Sequence, residues 1–329
     1  MSIIKDAGLV AENIYLMDTR QFGVSKSTAA FLYWDGERAL IMDTGTSDNI
    51  DEILGFIDRL RIPPEKIIGV TGTHYHFDHM GGATRLWKIM EQKNSDFKII
   101  VPEDMKYYLQ NARLHIKGAG TTFGHFVGKM EPVKDDAYLV VEKDRDLPVD
   151  LGGDITVRLI ETPGHTPDHC APTFFKGGRA FFSFAGESCG CLYHMSEPVS
   201  SPTSMPPNFH FDSYMDSAKK VAALKPGAIG FCHYGVLDGS DAVQSYLENH
   251  LRDMNTFRGL VVDSYGKNNS TRDVMEGTRE FFKNTFDPLT RMPEKYMENL
   301  QLAIVYGLMV DLGFKEPKYE NRSVPERAV

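Results

Sequence analysis

Three histidines and one carboxylate fall within six consecutive positions, 74 to 79. The segment reads Thr73-His74-Tyr75-His76-Phe77-Asp78-His79. Neutral imidazole and ionised carboxylate are ligands that divalent zinc, iron and manganese accept, and a bound cation offsets the cost of burying them together. Ordinary caps and surface contacts are the alternative interpretation. This density of ligand types within one turn favours a metal site.

The elements around this segment place its side chains in one space. The preceding run, Lys66 to Gly72, is short, β-branched and apolar, which is typical of a buried strand. Apolar residues at three- and four-residue spacing from Ala83 to Met90 predict a helix after it. In such a strand-to-helix turn, His74 and His76 alternate onto one side of the extended segment. Asp78 and His79 then turn back towards the same space from the start of the helix.

The pattern His-x-His-x-Asp-His resembles the signature of the metallo-β-lactamase superfamily, whose members are mostly hydrolases and only in part lactamases. The resemblance covers about residues 10 to 240. It implies an αββα sandwich of class α/β, in which two sheets pack face to face with helices outside. It also implies metals at one edge between two similar β/α halves, and further ligands downstream in a set order.

Two strand ends in the second half carry such ligands. The strand Ile155 to Ile160 runs into Thr162-Pro163-Gly164-His165-Thr166, which resembles the third motif of the superfamily. The strand Ala228 to Cys232 delivers His233 in the place of the last histidine ligand.

A third strand end departs from the family pattern. The strand Arg179 to Phe184 leads to Glu187, where the family usually carries an aspartate. The resemblance assigns to the first metal His74, His76 and His165. It assigns to the second metal Asp78, His79 and His233. Glu187 then bridges both metals if the backbone at Ala185-Gly186 sits further back; otherwise it turns away into a salt bridge.

The implied chemistry is hydrolysis by a hydroxide that bridges two divalent metals, with Asp78 as the proton acceptor. Zinc is favoured, and iron and manganese remain alternatives because histidine and carboxylate suit all three. A bridging carboxylate resembles the thioesterase, lactonase and glyoxalase-II-like members more than the lactamases, so we expect a thioester, lactone or related ester as substrate. The alternatives are a phosphodiesterase, a mononuclear-iron persulfide dioxygenase, and a non-enzymatic ligand-binding or sensor protein.

Several residues near these motifs are expected to support the site or to have no role in it. The resemblance makes Asp43 a carboxylate that orients a ligand from outside, and His169 is expected to steady its turn. His115 and His125 lack partner spacing and are interpreted as surface or loop histidines. The cysteines invite a thiolate-ligand interpretation, but packing is favoured. They are Cys170, Cys189, Cys191 and Cys232.

Three connecting stretches are predicted from local composition. A helix from Glu103 to about Leu114 should give way to a flexible stretch, Gly118 to His125. The Ser/Pro-rich linker from Ser196 to Phe211 should form a surface loop near the site. Asp212 should then cap a helix from Ser213 to Leu224.

Composition and charge limit the partners and the cellular compartment that we expect for this protein. The 329 residues carry a net charge of −9, which disfavours a nucleic-acid partner. The first residues lack a signal core, and no run approaches the roughly 18 apolar residues of a spanning helix. Four cysteines give no disulfide framework. We therefore expect a cytoplasmic protein with a small-molecule substrate and no membrane partner, and we leave homo-oligomer formation open.

The chain becomes helical after about position 240. Apolar stripes predict helices along Val243 to Val261, over Thr271 to Asn284, and along Tyr296 to Leu312. We therefore divide the chain into a catalytic domain, 1–240, and a C-terminal helical extension, 241–329. The extension starts a few residues after a predicted ligand, so we expect it to cover the metal cleft. The residues expected at the cleft are Tyr296, Leu300 and Ile304.

Overall fold

The computed structural model describes residues 3–194, 197–286 and 294–317. Within these ranges two sheets form, with the strand orders β1-β13-β12-β11-β10-β9 and β2-β3-β4-β5-β6-β7-β8. The strands are β1 (Ile3–Ile4), β2 (Gly8–Ala11), β3 (Ile14–Asp18), β4 (Ala29–Trp34), β5 (Ala39–Met42), β6 (Ile67–Thr71), β7 (Lys98–Val101), β8 (Tyr138–Val140), β9 (Ile155–Glu161), β10 (Cys170–Lys176), β11 (Arg179–Gly186), β12 (Ala228–Phe231) and β13 (Gly235–Asp238).

The α-helices of the same ranges connect these strands and continue beyond them. They are α1 (Ile50–Arg59), α2 (Ala83–Met90), α3 (Glu103–Gln110), α4 (Arg113–Phe123), α5 (Phe211–Ala223), α6 (Ser240–Asn268), α7 (Thr271–Gly277), α8 (Arg279–Thr285) and α9 (Glu294–Asp311). None of these helices combines the length and apolar character that crossing a bilayer requires.

The two sheets pack face to face through large aromatic side chains. Phe31 on β4 lies with its ring centroid 5.3 Å from Phe182 and 4.6 Å from Phe184, both on β11. Tyr33 on β4 stacks on Phe174 of β10 at 5.5 Å. Helices α1, α2 and α3 contact β3, β7 and β8, while α6 contacts β12 and β13. Helices therefore lie outside both sheets, and the predicted αββα sandwich with C-terminal helices is confirmed.

Strand direction brings three chain segments to one edge of the first sheet. Strands β11 and β12 pair in parallel. Strand β10 pairs antiparallel with both β9 and β11, so β9 runs in the same direction as β11. The carboxyl ends of β9, β11 and β12 consequently meet at one edge. In the second sheet, β5 and β6 are also parallel and end together.

The C-terminal helices form a second apolar core. Val243 and Leu247 of α6 pack on the first sheet, and Met254 further along the same helix packs against Leu300 and Ile304 of α9. The predicted helix over Thr271 to Asn284 is divided, because α7 ends at Gly277 and α8 begins at Arg279.

The prediction of a flexible stretch from Gly118 to His125 is wrong. Helix α4 runs through these glycines as far as Phe123, and a short 3-10 helix follows from Gly124. Asn299 of α9 donates a hydrogen bond from Nδ2 to the carbonyl of Thr122 at 3.1 Å. Tertiary packing against α9 therefore supports a helix whose local sequence disfavours it.

Two expectations about the linker need correction. Residue 196 lies outside the described residues. The rest forms no helix or longer strand before α5, but Ser200, Ser201, Thr203 and Ser204 are buried, so this part is not a surface loop. The cap of α5 is the His210 side chain, which accepts from the Ser213 backbone N–H at 3.2 Å, in place of Asp212.

Candidate metal centre

Three imidazole nitrogens converge at the end of β6. His74 Nε2 lies 2.9 Å from His76 Nδ1, and His165 Nε2 lies 3.2 Å from the same atom. His74 and His165 are fully buried, and His76 is half-buried. The donor atoms of these three histidines and of Glu187 all lie within 4.8 Å of one another, which is close enough for one metal ion to contact them all.

A second set of donors lies beside the first. Asp78 Oδ1 is 3.6 Å from His79 Nε2, and Asp78 Oδ2 is 3.6 Å from His233 Nε2. The donor atoms of His79, Glu187, Cys232 and His233 also lie within 4.8 Å of one another. Burial opposes protonation of His79, but Asp78 and the neighbouring Cys232 raise its pKa well above the ordinary value.

Glu187 belongs to both groups through one oxygen. Its Oε2 lies 3.3 Å from His74 Nε2, 3.3 Å from His79 Nε2 and 2.8 Å from His165 Nε2. Burial disfavours the carboxylate, yet the three histidines hold the pKa of Glu187 well below its ordinary value. A register shift between Phe184 and Gly186 on β11 precedes it. Such bulges redirect side chains next to active sites.

Two histidines of the first group, His74 and His76, are held neutral. Burial lowers the pKa of His74 well below its ordinary value, and neighbouring His79 adds to this effect. Burial and the adjacent His74 likewise lower the pKa of His76. A neutral imidazole has a free lone pair, which is the form that binds a metal.

Asp43 supports both groups from behind, as the family resemblance implies. It lies at the end of β5 with φ +59°, and its carboxylate accepts from the Thr73 backbone N–H at 2.7 Å and from Thr73 Oγ1 at 2.9 Å. Thr73 Oγ1 lies 3.0 Å from His74 Nδ1, and Asp43 Oδ2 lies 3.5 Å from His79 Nδ1. These contacts fix the orientation of two of the rings.

His169 lies outside both donor groups and steadies the turn, as expected. Its Nδ1 is 2.8 Å from Thr162 Oγ1, and its Nε2 accepts the Glu187 backbone N–H at 3.1 Å. A side chain on Gly186, which has φ +56°, would lie 2.7 Å from His169 Nε2. A glycine at this position therefore lets the loop approach the ring.

The interpretation of His115 as a surface or loop histidine is wrong, whereas His125 is exposed as expected. His115 lies on α4, and its ring stacks on His76 at 4.7 Å with an interplanar angle of 5°. Its Nε2 accepts the Phe77 backbone N–H at 3.0 Å. Burial lowers the pKa of His115 to about 4, which keeps this acceptor neutral. The residue had no sequence signal, because its partners lie almost forty positions earlier.

The buried segment from Ser200 to Ser204, here the 200–204 segment, links the site to the C-terminal helices. On its inner side, the Thr203 carbonyl accepts from His165 Nδ1 at 2.6 Å, and Thr203 Oγ1 donates to the Glu187 carbonyl at 2.8 Å. On its outer side, Ser204 Oγ donates to the carbonyl of Ile304 on α9 at 2.7 Å.

A buried tyrosine–histidine pair continues this link. His250 on α6 lies 2.6 Å from Ser200 Oγ through Nδ1 and 3.0 Å from the Tyr214 hydroxyl through Nε2. The Tyr214 hydroxyl accepts the Gly190 backbone N–H at 2.8 Å and lies 3.2 Å from the Thr203 hydroxyl. Sequence reasoning missed this pair, because neither residue lies in a motif.

A group of aromatic side chains lies beside the loop that carries residues 74 to 79. Tyr296 at the start of α9 has its ring 5.1 Å from Phe22 and 5.5 Å from Phe123, which in turn lies 5.7 Å from Phe77. Phe126 contacts Phe22 at 4.9 Å. We call these five residues the aromatic wall. Burial raises the pKa of Tyr296 well above its ordinary value, and the charges of Asp78 and Glu187 contribute.

The expectation that α9 reaches the cleft through three residues holds for Tyr296 and fails for Leu300 and Ile304. Both aliphatic side chains are buried in the core of the C-terminal helices, against α6. The first turn of α9 therefore faces the site, and the following turns serve packing.

The donor set fits a metal pair. Within the described residues, neither ring nitrogen of His79 makes a hydrogen bond of good geometry, although both are buried. A buried nitrogen without a well-formed hydrogen bond is costly, and a cation bound at His79 Nε2, which faces Asp78 and Glu187, would satisfy that nitrogen. The residues that would hold such cations are those with donor atoms facing the two groups: His74, His76, Asp78, His79, His165, Glu187 and His233.

The fold is an αββα sandwich, and the clustered donor residues at one edge of it could hold metal ions. A model of the metallo-beta-lactamase superfamily matches residues 25–233. The chain belongs to this superfamily, whose members are mostly metal-dependent hydrolases.

Two proteins of similar sequence match parts of this chain. The metallo-beta-lactamase fold-containing protein ST1585 of Sulfurisphaera tokodaii is 30% identical over 225 residues, which span 67% of this chain and 76% of that protein. A hydroxyacylglutathione hydrolase of Rhodopseudomonas palustris is 26% identical over 150 residues, or 45% of this chain and 46% of that protein.

Solved structures confirm the fold. The crystal structure of the archaeal protein ST1585 superposes with a TM-score of 0.61 at 22% identity, and it covers 91% of this chain and 99% of its own. MEM-A1, a subclass B3 metallo-beta-lactamase from a soil metagenome library, gives a TM-score of 0.53 at 15% identity, with 77% and 95% covered.

Proposed function

We propose that the protein is a dinuclear metal-dependent hydrolase of thioesters, lactones or related esters. The observation that supports this most strongly is the position of Glu187, whose single oxygen lies within 3.3 Å of ligand nitrogens from both donor groups. In this proposal His74, His76 and His165 hold one metal, while Asp78, His79 and His233 hold the other. A bridging carboxylate is the feature that distinguishes this arrangement from a lactamase site.

The residues at the site have different roles in the proposed reaction. Two divalent cations bound here would supply a hydroxide at neutral pH and would polarise the substrate carbonyl. Asp78 would be the proton acceptor, because its oxygens lie 3.6 Å from His79 Nε2 and from His233 Nε2 and face the same space. Asp43 and His169 keep ligand rings and the Glu187 loop in place.

The aromatic wall indicates the character of the substrate. Phe22, Phe77, Phe123, Phe126 and Tyr296 offer apolar surface, and none of the five carries a positive charge. Such a wall favours an uncharged acyl or leaving group over a phosphodiester. The similarity to a hydroxyacylglutathione hydrolase supports ester-type chemistry without identifying the substrate.

Turnover over a substrate panel tests the proposal. Protein loaded with zinc, and separately with manganese or iron, is assayed against acyl thioesters, lactones, a chromogenic β-lactam and a bis-aryl phosphate. We expect kcat/KM for at least one thioester or lactone to exceed the values for the β-lactam and the phosphodiester. Preferred cleavage of the phosphodiester would contradict the proposal, and so would oxygen consumption with a persulfide by a protein holding one iron.

A further inference from the structure

The second donor group contains a thiol. Donor atoms of His79, Glu187, Cys232 and His233 lie within 4.8 Å of one another, and all four residues are buried. The two ring nitrogens of His79 make no hydrogen bond of good geometry among the described residues, and the nearest carboxylate oxygens are Asp43 Oδ2 at 3.5 Å from Nδ1 and Glu187 Oε2 at 3.3 Å from Nε2. Asp78 approaches the same two histidines, at 3.6 Å from each.

The backbone explains how two consecutive residues face one site. Strand β12 ends at Phe231, and residues 232–234 form a turn. Within a strand, Cys232 and His233 would point to opposite faces of the sheet, whereas a turn removes this alternation. The Cys232 carbonyl accepts the Ala29 backbone N–H at 2.7 Å, and the His233 carbonyl accepts the backbone N–H of Leu192. The turn is therefore anchored on both sides.

We propose that Cys232 is a thiolate ligand of the second metal, in addition to Asp78, His79, His233 and Glu187. On binding, the S–H bond breaks, the proton passes to solvent buffer, and a sulfur–metal bond forms. A thiolate is a soft ligand, which favours zinc over manganese at this position. This inference rests on the two-metal site of the proposed function.

The other cysteines have different surroundings. Cys191 Sγ lies 3.5 Å from Glu187 Oε1 but is outside the donor group. Cys189 lies 3.8 Å from Ser188 Oγ, and Cys170 donates to the Gly72 carbonyl at 3.3 Å. Cys189 is buried, free and outside the donor group, so it provides a matched control for Cys232.

Cobalt(II) substitution tests the proposal. Protein stripped of metal and reloaded with cobalt(II) in thiol-free buffer should show an intense near-ultraviolet sulfur-to-cobalt charge-transfer band. Cys232→Ser should lose this band, while Cys189→Ser should keep it. X-ray absorption of the zinc form should show a sulfur scatterer at about 2.3 Å, the usual zinc–thiolate distance.

The wild-type spectrum can overturn the proposal even if a variant does not fold. Two bound cobalt ions without a charge-transfer band would overturn the proposal. A band that survives Cys232→Ser and disappears in Cys191→Ser would also overturn it, since the ligand would be Cys191. If the protein hydrolyses esters with two metals but shows no sulfur ligation, this inference alone fails. If sulfur ligation is present without hydrolysis, only the proposed function fails.

Discussion

The loops that carry the donor residues and the C-terminal helices contribute to the same candidate metal centre in different ways. The loops bring ligands directly from strand ends, so His74, His76 and His79 arrive within one short stretch after β6. The helices act at a distance, through buried polar contacts such as those of Ser204 with Ile304. Four of the seven proposed ligands, at positions 74 to 79, are thus local in sequence, whereas the groups that hold the ligands in place are spread over the chain.

The largest expected effect comes from the ligand side of this comparison. Glu187→Gln removes the negative charge and nearly keeps the shape, so we expect loss of one metal, the one near Asp78, His79 and His233. Mutation of residues that only hydrogen-bond to metal ligands typically lowers metal affinity or activity by ~10–100-fold. Because Glu187 is itself a proposed ligand, kcat of Glu187→Gln should fall by at least about 100-fold. Elemental analysis and steady-state kinetics on the same preparation measure both effects.

A shorter carboxylate is the control for charge. Glu187→Asp keeps the charge but not the reach, so it should retain some metal and bind it less tightly than the wild type. Both metals and near-normal turnover in the Gln variant would show that Glu187 does not bridge.

The second prediction concerns the effect on metal affinity of the buried polar contacts that link the C-terminal helices to the donor residues. Tyr214→Phe removes the hydroxyl that accepts the Gly190 backbone N–H and contacts His250 and Thr203. A buried donor left unpaired costs about 1–3 kcal/mol of stability. Because Thr203 also holds Glu187 and His165, we expect metal affinity to fall by roughly 10-fold. Competition with a chromogenic chelator measures this change.

A remote tyrosine provides the matched control. Tyr33 is buried between the sheets and donates to the Leu151 carbonyl at 2.9 Å, away from the donor groups. Tyr33→Phe should lower the melting temperature without changing metal affinity. Equal metal affinity in the two variants would show that the Tyr214 contacts contribute to fold stability and not to metal binding.

The third and smallest prediction concerns the aromatic wall. Tyr296→Leu removes a ring that contacts Phe22 and Phe123 but no donor atom of either group, so metal content should not change. The ratio of kcat/KM between bulky and small acyl substrates should shift by about 10-fold, a typical value for a changed apolar contact. Kinetics over a series of acyl chain lengths measure the ratio.

The neighbouring apolar residues of α9 are the control for packing. Leu300→Ala lies in the helical core and should lower stability with little change in selectivity. An unchanged ratio in folded Tyr296→Leu would assign α9 to scaffolding alone.

The sequence predicted the sandwich and the convergence of the donor residues through its resemblance to the superfamily, and the motifs that carry this resemblance are local. A proposed ligand such as His165 follows a regular strand at a proline–glycine turn, which is visible in a window of a few residues. His115 and His250 gave no such signal, because each is a single histidine on a helix and its partners are distant in the chain. Helix α4 was missed for the same reason: its glycines disfavour a helix locally, while α9 supports it from almost two hundred positions away.

Metal stoichiometry tests the central claim most directly. Protein purified without chelator, and again after supplementation with zinc, iron or manganese, is measured by elemental analysis against its quantified amino-acid content. A centre in which Glu187 joins two donor groups predicts about two transition-metal ions per chain. One ion or fewer after supplementation would contradict the dinuclear site.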